Sequence, residues 1–341
     1  MRPSDTPSRS GRQRAHDMTS AELRVPWRPT LTRALTWLRP NAVLVVLAIL
    51  VIYLSVKANN FLTVRNWMNI LDQNAPLMLI ALGTTFVIVS GGFDLSTGAL
   101  MALGGVIGVK LTYNTADPLL GVVLGILAGV GLGIANGILV GILKINSFLA
   151  TLASGLVMGG LALYTTNGAS IDLTANSTFT WLGTHRYGQV PASVIVEVLV
   201  AVLLAALLAR TTIGRRVYLV GSNEEAARLS GISPGLTRLI AYSIGGLTAA
   251  IGGAILLSRT GVGTIPTGTQ LLTLNAIAAV VIGGTSIQGG RGTIWRTFAG
   301  VLILALIQNA FTLLNIEPYL QQVFAGLIIV VVVYFDRETN R

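Results

Sequence analysis

Ten apolar runs, at roughly 41–57, 70–90, 93–111, 118–142, 147–166, 191–209, 237–257, 271–287, 294–313 and 318–335, fill most of this 341-residue chain. A helix needs about 20 such residues to cross about 30 Å of hydrocarbon. Lipid offers no partner to a backbone N–H or C=O, so only helices and closed barrels span it. The alternating ten-residue segments of a barrel are absent here. The expected fold is therefore an all-α polytopic membrane protein of about ten transmembrane helices. Charged residues make up 11% of the chain, against about a quarter in a soluble domain.

The basic residues orient the spans. With the N-terminus inside, 18 of the 23 Lys and Arg fall in inner segments, and only Lys57, Arg65, Lys110, Arg186 and Arg259 fall outside. Positive charge accumulates on the cytoplasmic side, so both termini are expected there. The net charge of +10 reports this orientation and not a nucleic-acid partner. Residues 1–40 hold eight arginines and read as a basic, disordered cytoplasmic extension. Within it Leu31, Leu35, Trp37 and Leu38 suit a short interfacial helix. A transmembrane domain, 41–336, and a short tail, 337–341, follow.

Much chemistry is excluded. The chain has no cysteine, hence no disulfide, thiolate metal site or thiol nucleophile. Its two histidines, His16 and His185, are far apart, so no metal site is expected. There is no Walker A loop and no GxSxG or HExxH motif. Nothing in the chain points to an enzyme or to a cofactor of its own.

Inside the spans three patterns stand out. Glycines at 121, 125, 129, 133, 137 and 141 recur every fourth residue and share one helical face. Gly125, Gly129, Gly133 and Gly137 are its centre, and such a face lets a neighbouring helix approach closely. Two glycine-interrupted segments lie in the two halves of the chain: Gly91-Gly92-Phe93-Asp94-Leu95-Ser96, and Gly283-Gly284-Thr285 onward to Gly292, beginning 192 positions later. Matched breaks of this kind point to a transport pathway. Asp94, with Ser96 and Thr97, also reads as the start of a helix with capping side chains. The third pattern is a set of uncharged amides within spans, Asn74, Asn275 and Asn309. They suit either a path for a neutral polar solute or hydrogen bonds between helices. Asp72 and Glu197 fall near outer ends. No carboxylate or arginine is placed deep enough to drive ion coupling, which weighs against the alternative, an ion-coupled secondary transporter of a small polar solute.

Two loops are long. The outer one, Asn167 to Val190, suits a surface helix around Trp181 facing an external partner. The inner one, 210–236, is a polar island. Its segment Asn223-Glu224-Glu225-Ala226-Ala227-Arg228-Leu229-Ser230-Gly231 has a capping residue, acids in the first turn and a terminating glycine. A helix so short is unstable alone and should be held by docking.

The sequence Glu-Ala-Ala-x-x-x-Gly from Glu225 to Gly231 resembles the loop by which permeases of ATP-binding cassette importers engage their ATPase subunits. The resemblance extends from about residue 40 to 336. It rests on FVIVSGGFDLSTGALMALGG (86–105), GIANGILVGILKINSFLATLAS (133–154), TTIGRRVYLVGSNEEAARLSGI (211–232) and IAAVVIGGTSIQGGRGTIWRTFAGVLILALIQNAFTLLNI (277–316). These segments resemble the permeases of ribose, xylose and galactose importers, although that family usually carries Ile where this chain has Phe93. The resemblance implies a multi-pass protein of the bacterial inner membrane that pairs with a second copy or a paralogue. It implies ATPase subunits beneath, which carry ATP and its Mg ion, and an extracytoplasmic sugar-binding protein above. A monosaccharide or similar small solute would pass between the two permeases. Relatives of this family carry other solutes, including a furanosyl signalling molecule and nucleosides. Residues 223–228 with Gly231 would then couple to the ATPase. Asn74, Gly91, Gly92, Asp94, Ser96, Asn275, Gly283, Gly284, Thr285 and Asn309 are the candidates for the pathway or its moving parts.

Overall fold

A computed structural model describes residues 28–264 and 269–314 and the single positions 317, 320, 323, 326 and 327, with side chains from 43 onward. Residues 1–27 of the basic extension and, apart from positions 320, 323, 326 and 327, the tenth expected span, 318–335, lie outside the described residues. The chain divides into two units, Met1–Ala42 and Val43–Arg341; the packing below belongs to the second.

The helices are α1 (Arg28–Lys57), α2 (Val64–Val89), α3 (Thr97–Thr115), α4 (Pro118–Gly137), α5 (Ser147–Thr166), α6 (Ser177–Thr184), α7 (Ala192–Arg210), α8 (Thr212–Ser222), α9 (Glu224–Leu229), α10 (Pro234–Thr260), α11 (Thr269–Ile282) and α12 (Ile294–Leu313). A single π-helical turn, Ile138–Ile142, extends α4. Six of these helices are long and apolar enough to cross a membrane, namely α2, α4 with its extension, α5, α7, α10 and α12, and two shorter apolar stretches, Val43–Lys57 and Thr269–Ile282, accompany them. The chain is thus a polytopic, mostly helical membrane protein.

The helix starts follow directly from sequence. Thr63, Asp117, Asn146, Thr211, Asn223, Ser233 and Thr293 each accept a backbone N–H of the first turn through the side chain, and Pro118 and Pro234 stand just inside two of those starts. These are the residue types that satisfy the orphan donors of a helix N-terminus.

Burial ranks the helices. The apolar window of α2 is 89% buried and that of α10 is 67%, against 22% for α4 and for α5. The core is therefore α2 and α10, clothed by α3, α4, α7, α11 and α12. Phe86, Met78, Leu100, Met101 and Val280 belong to its main cluster. The glycine face of α4 is buried throughout. Cβ atoms added to Gly125, Gly133 and Gly137 would lie 2.7 Å from the Gly104 carbonyl oxygen, 2.5 Å from that of Tyr242 and 2.7 Å from the Leu239 Cα. One at Gly129 would lie 2.3 Å from Ala250 Cβ. The stripe thus seats α4 on α3 at one end and on α10 at the other.

On the side expected to face outward, the all-α expectation needs an addition. Two tiny antiparallel ladders form there: β1 (Ile171–Asp172) with β4 (Val262–Gly263), and β2 (Arg186–Tyr187) with β3 (Val190–Pro191). Between them lies α6, capped by Asn176, whose side chain accepts the Phe179 N–H. Trp181 stacks on His185 with centroids 5.1 Å apart. Asp72 fastens this region. Its carboxylate accepts from the Ser193 hydroxyl and pairs with Arg186 at 3.6 Å, while its carbonyl accepts from Arg259 at 2.9 Å. Replacing Asp72 with alanine strands the buried Ser193 hydroxyl and should cost about 1–3 kcal/mol. A lowered midpoint in detergent-induced unfolding is the expected result.

Candidate functional site

The loop 210–236, expected on the inner side, folds into two helices. The second, α9, matches the residues expected of it. Asn223 Oδ1 accepts the Ala226 N–H at 2.9 Å. Gly231, at φ +78°, closes the other end: the Ile232 N–H reaches the Ala227 carbonyl and the Gly231 N–H that of Arg228. That pair of bonds is a Schellman motif, and its left-handed residue favours glycine. Ala227 is the one buried residue of α9. Glu224, Glu225, Ala226, Arg228 and Leu229 are exposed, Leu229 to 78%. Arg228 hydrogen-bonds Glu225 at 2.6 Å and holds its carboxyl below the usual carboxylate range. Both partners are solvated, so the pair adds little stability. Glu224 reaches Arg238 at the start of α10, at 2.6 Å, and this contact tethers α9 to the bundle.

The helix α8 was not foreseen. Its signal is nevertheless present: Gly214, Val217 and Val220 are buried while Arg215, Arg216 and Leu219 face out, an amphipathic spacing. The Tyr218 hydroxyl donates to the Gly292 carbonyl at 2.6 Å, and burial pushes its phenol above the ordinary value. At Gly221 the C-terminal end of α8 rests on backbone. A Cβ at Gly221 would lie 1.8 Å from the Val89 carbonyl oxygen and 2.6 Å from the Gly290 nitrogen. The Gly290 N–H donates to that same Val89 oxygen at 2.9 Å. A Cβ at Gly289 would lie 2.9 Å from Gly91 Cα.

The two glycine breaks therefore meet each other, and both meet α8. They are also alike in detail. Gly91 N–H bonds to the Ile88 carbonyl and Gly92 N–H to that of Val87; Gly284 N–H bonds to Val281 and Thr285 N–H to Val280. Gly91 and Gly284 have φ of +81° and +83°. The equivalence is thus Gly91 to Gly284, 193 positions, where the sequence pairing of Gly91 with Gly283 gives 192. The eighth expected span, 271–287, also ends earlier, since α11 stops at Ile282. Gly283 follows as the helix cap, where a Cβ would meet the Arg296 carbonyl at 2.5 Å.

After the first break, residues 93–96 run along α5. Phe93 N–H donates to Ser147 and Leu95 N–H to Thr151. Asp94 is fully buried; one oxygen accepts the Ser96 N–H at 2.8 Å and its hydroxyl at 2.5 Å. Asn136 donates to that hydroxyl at 2.7 Å. The expected cap on α3 is not supplied by Asp94 or Ser96. Thr273 of α11 supplies it, accepting the Gly98 N–H at 2.9 Å. The amides lie elsewhere: Asn74 donates to the Ile70 carbonyl of its own helix, Asn309 pairs with Asn66, and Asn275 stands half-buried on α11.

Arg238 joins these parts, since its guanidinium pairs with Glu224 and lies 4.0 Å from a Cβ placed on Gly91. Replacing Arg238 with alanine frees α9 from α10. Faster hydrogen exchange of the 224–231 amides, with exchange in α2 unchanged, is the expected outcome.

A family model described as branched-chain amino acid transport system / permease component matches residues 66–333. The chain is 42% identical over 295 residues to the ribose import permease protein RbsC of Bacillus subtilis (strain 168), covering 86% of this chain and 91% of that one. It is 35% identical over 305 residues to the protein of that name from Escherichia coli (strain K12), covering 89% and 95%. It is 37% identical over 300 residues to the L-arabinose transport system permease protein AraH of that organism, covering 87% and 90%. No solved structure matches the chain at a significant level.

Proposed function

The chain belongs to the family described as branched-chain amino acid transport system / permease component, and from that premise we propose how it works as the membrane permease of an ATP-driven sugar importer. The relatives are named for ribose and arabinose import, so the solute proposed here is a monosaccharide or a compound of like size and polarity. The membrane is the bacterial inner membrane, with ten spans and both termini cytoplasmic. Two permeases, copies or paralogues, enclose the path. An extracytoplasmic binding protein docks on the outer side, where α6 and the small ladders stand. Two ATPase subunits carry ATP and its Mg ion on the inner side.

The observation that carries this reading is the placement of α9. A helix of six residues (Glu224–Leu229) is closed by its own residues at both ends and leaves its acidic first turn and Leu229 in solvent. It is seated on α8, whose end lies against both glycine breaks. When the ATPases close, α9 and α8 move together, and the Val89–Gly221–Gly290 contact passes that displacement to the ends of α2 and α11. Side chains would absorb such a push by changing rotamer; backbone in van der Waals contact transmits it, because packed interiors yield little.

Co-expression with an ATP-binding cassette ATPase and a sugar-binding protein encoded in the same genome tests the assignment. The three should purify as one complex in detergent, with ATP hydrolysis that rises when sugar-loaded binding protein is added. A chain that purifies free of the ATPase overturns it.

A further inference from the structure

A cavity of about 300 Å³ opens between α3, α5 and α11, away from the glycine junction and from the amides considered above. Its depth follows from the contacts of α5. Phe93 meets Ser147, Leu95 meets Thr151, and a Cβ on Gly155 would lie 3.3 Å from Ser96 Cα. Each contact comes one helical turn further along, so the start of α3 lies about 12 Å in from the first turn of α5 at about 1.5 Å per residue. The first turn of α11 meets it there: Thr273 caps Gly98, and a Cβ on Gly98 would lie 2.0 Å from the Thr269 carbonyl oxygen. Beyond this point the helices part. Gly159 and Gly160 have nothing within 4 Å of an added Cβ. The gap thus lies about 12–20 Å along α5, in the middle of a hydrocarbon layer about 30 Å thick.

The lining suits a particular kind of occupant. Among the described residues no charged side chain lines it, and the polar side chains there are Thr269, Gln270 and Thr273. Thr273 is buried and committed to the α3 cap. Gln270 is exposed. A carboxamide facing acyl chains at this depth loses its hydrogen bonds without replacement, whereas water or hydroxyl groups would restore them. The volume sits at the small end of the range for ligand pockets, about 300–1,000 Å³. The absence of charge fits a neutral solute, and one free carboxamide beside glycine surface fits weak holding, which lets a solute leave as readily as it enters.

We infer that this cavity is a transit site for a neutral, polyhydroxylated solute of single-ring size, with the Gln270 carboxamide as its principal hydrogen-bonding group and Gly159 and Gly160 keeping the space open. The inference rests on the import reading above and adds a location to it.

The cysteine-free chain permits a direct test. Gln270→Cys is placed in the assembled importer, with ATPase and binding protein, in membranes. It is treated with the membrane-impermeant sulfonatoethyl methanethiosulfonate. Ile49→Cys, on an exposed face of α1, serves as the lipid-facing reference. The expected result is modification of Gln270→Cys and not of Ile49→Cys, slowed when sugar-loaded binding protein and ATP drive turnover. Reaction of Gln270→Cys with the membrane-soluble N-ethylmaleimide alone would show an acyl chain in the gap and overturn the inference. Filling the space supplies a second reading: Gly160→Leu should lower sugar uptake at least about tenfold, the equivalent of about 1.4 kcal/mol. Uptake at the unsubstituted rate would overturn it equally. Binding-protein-stimulated ATP hydrolysis by the unsubstituted importer is read in parallel; its absence marks failure of the import reading, and its presence confines any failure to the cavity.

Discussion

Replacing Gly221 with leucine should abolish sugar uptake by an importer that still inserts and still hydrolyses ATP. The first added atom alone would stand 1.8 Å from the Val89 carbonyl oxygen and 2.6 Å from the Gly290 nitrogen. Neither obstacle can rotate aside, since both are backbone, and they are already bonded to each other at 2.9 Å. The end of α8 must therefore lift off the two breaks. Overpacking of this kind costs about 1–3 kcal/mol, which a polytopic helical bundle tolerates, and the strain falls on the joint and not on the core. Gly221→Ala should show the same defect in weaker form. Gly131→Ala, where an added Cβ meets nothing within 4 Å, should leave uptake near normal. The comparison is made by parallel uptake and ATP hydrolysis in proteoliposomes. Full uptake by Gly221→Leu would remove the backbone joint from the mechanism.

The second large effect concerns the exposed face of α9. Glu225→Lys with Ala226→Trp alters two solvent-facing residues and leaves the Asn223 cap, the Gly231 turn and buried Ala227 intact. The helix should persist, and its contact with the ATPase should not. Interface residues of the strongest class cost 2 kcal/mol or more when altered, so affinity for the ATPase should fall by about thirtyfold or more. Uptake should fall with it. Circular dichroism and insertion should match the unsubstituted chain. Undiminished ATPase binding, measured by surface plasmon resonance on nanodisc-embedded permease, would show that the docking surface lies elsewhere.

The parts of the fold read most directly from the sequence are those encoded locally. Apolar runs marked where the long helices lie but not their ends, since α3 starts at Thr97 and α11 stops at Ile282; caps such as Asn223 and Asp117 lie within a few residues of the N–H groups they satisfy. The α4 glycine face was legible because a period of four on a helix puts small residues in one line, whatever they pack against. The α8 helix had a local signal too, Val217 and Val220 on one side of Arg215 and Arg216. It was obscured because the whole loop reads as polar beside the spans. What the sequence hid was long-range. The junction joins Gly91, Gly221 and Gly289, segments separated by more than sixty residues each, and no local pattern says that they touch. The α3 cap is hidden for the same reason, since Thr273 lies 175 positions from Gly98. The breaks themselves were visible, but their register was not. The φ of +81° at Gly91 and +83° at Gly284 fixes it, and the second residue of one glycine pair matches the first of the other.

The proposed route of energy into this membrane domain is through α9, from ATP hydrolysed on a partner. It is tested most directly by uptake of radiolabelled monosaccharide into proteoliposomes holding the permease and its ATPase, with sugar-loaded binding protein and ATP each on its own proper side. Uptake should require ATP and survive collapse of proton and sodium gradients by ionophores. Uptake that persists without ATP and vanishes when those gradients collapse would contradict it.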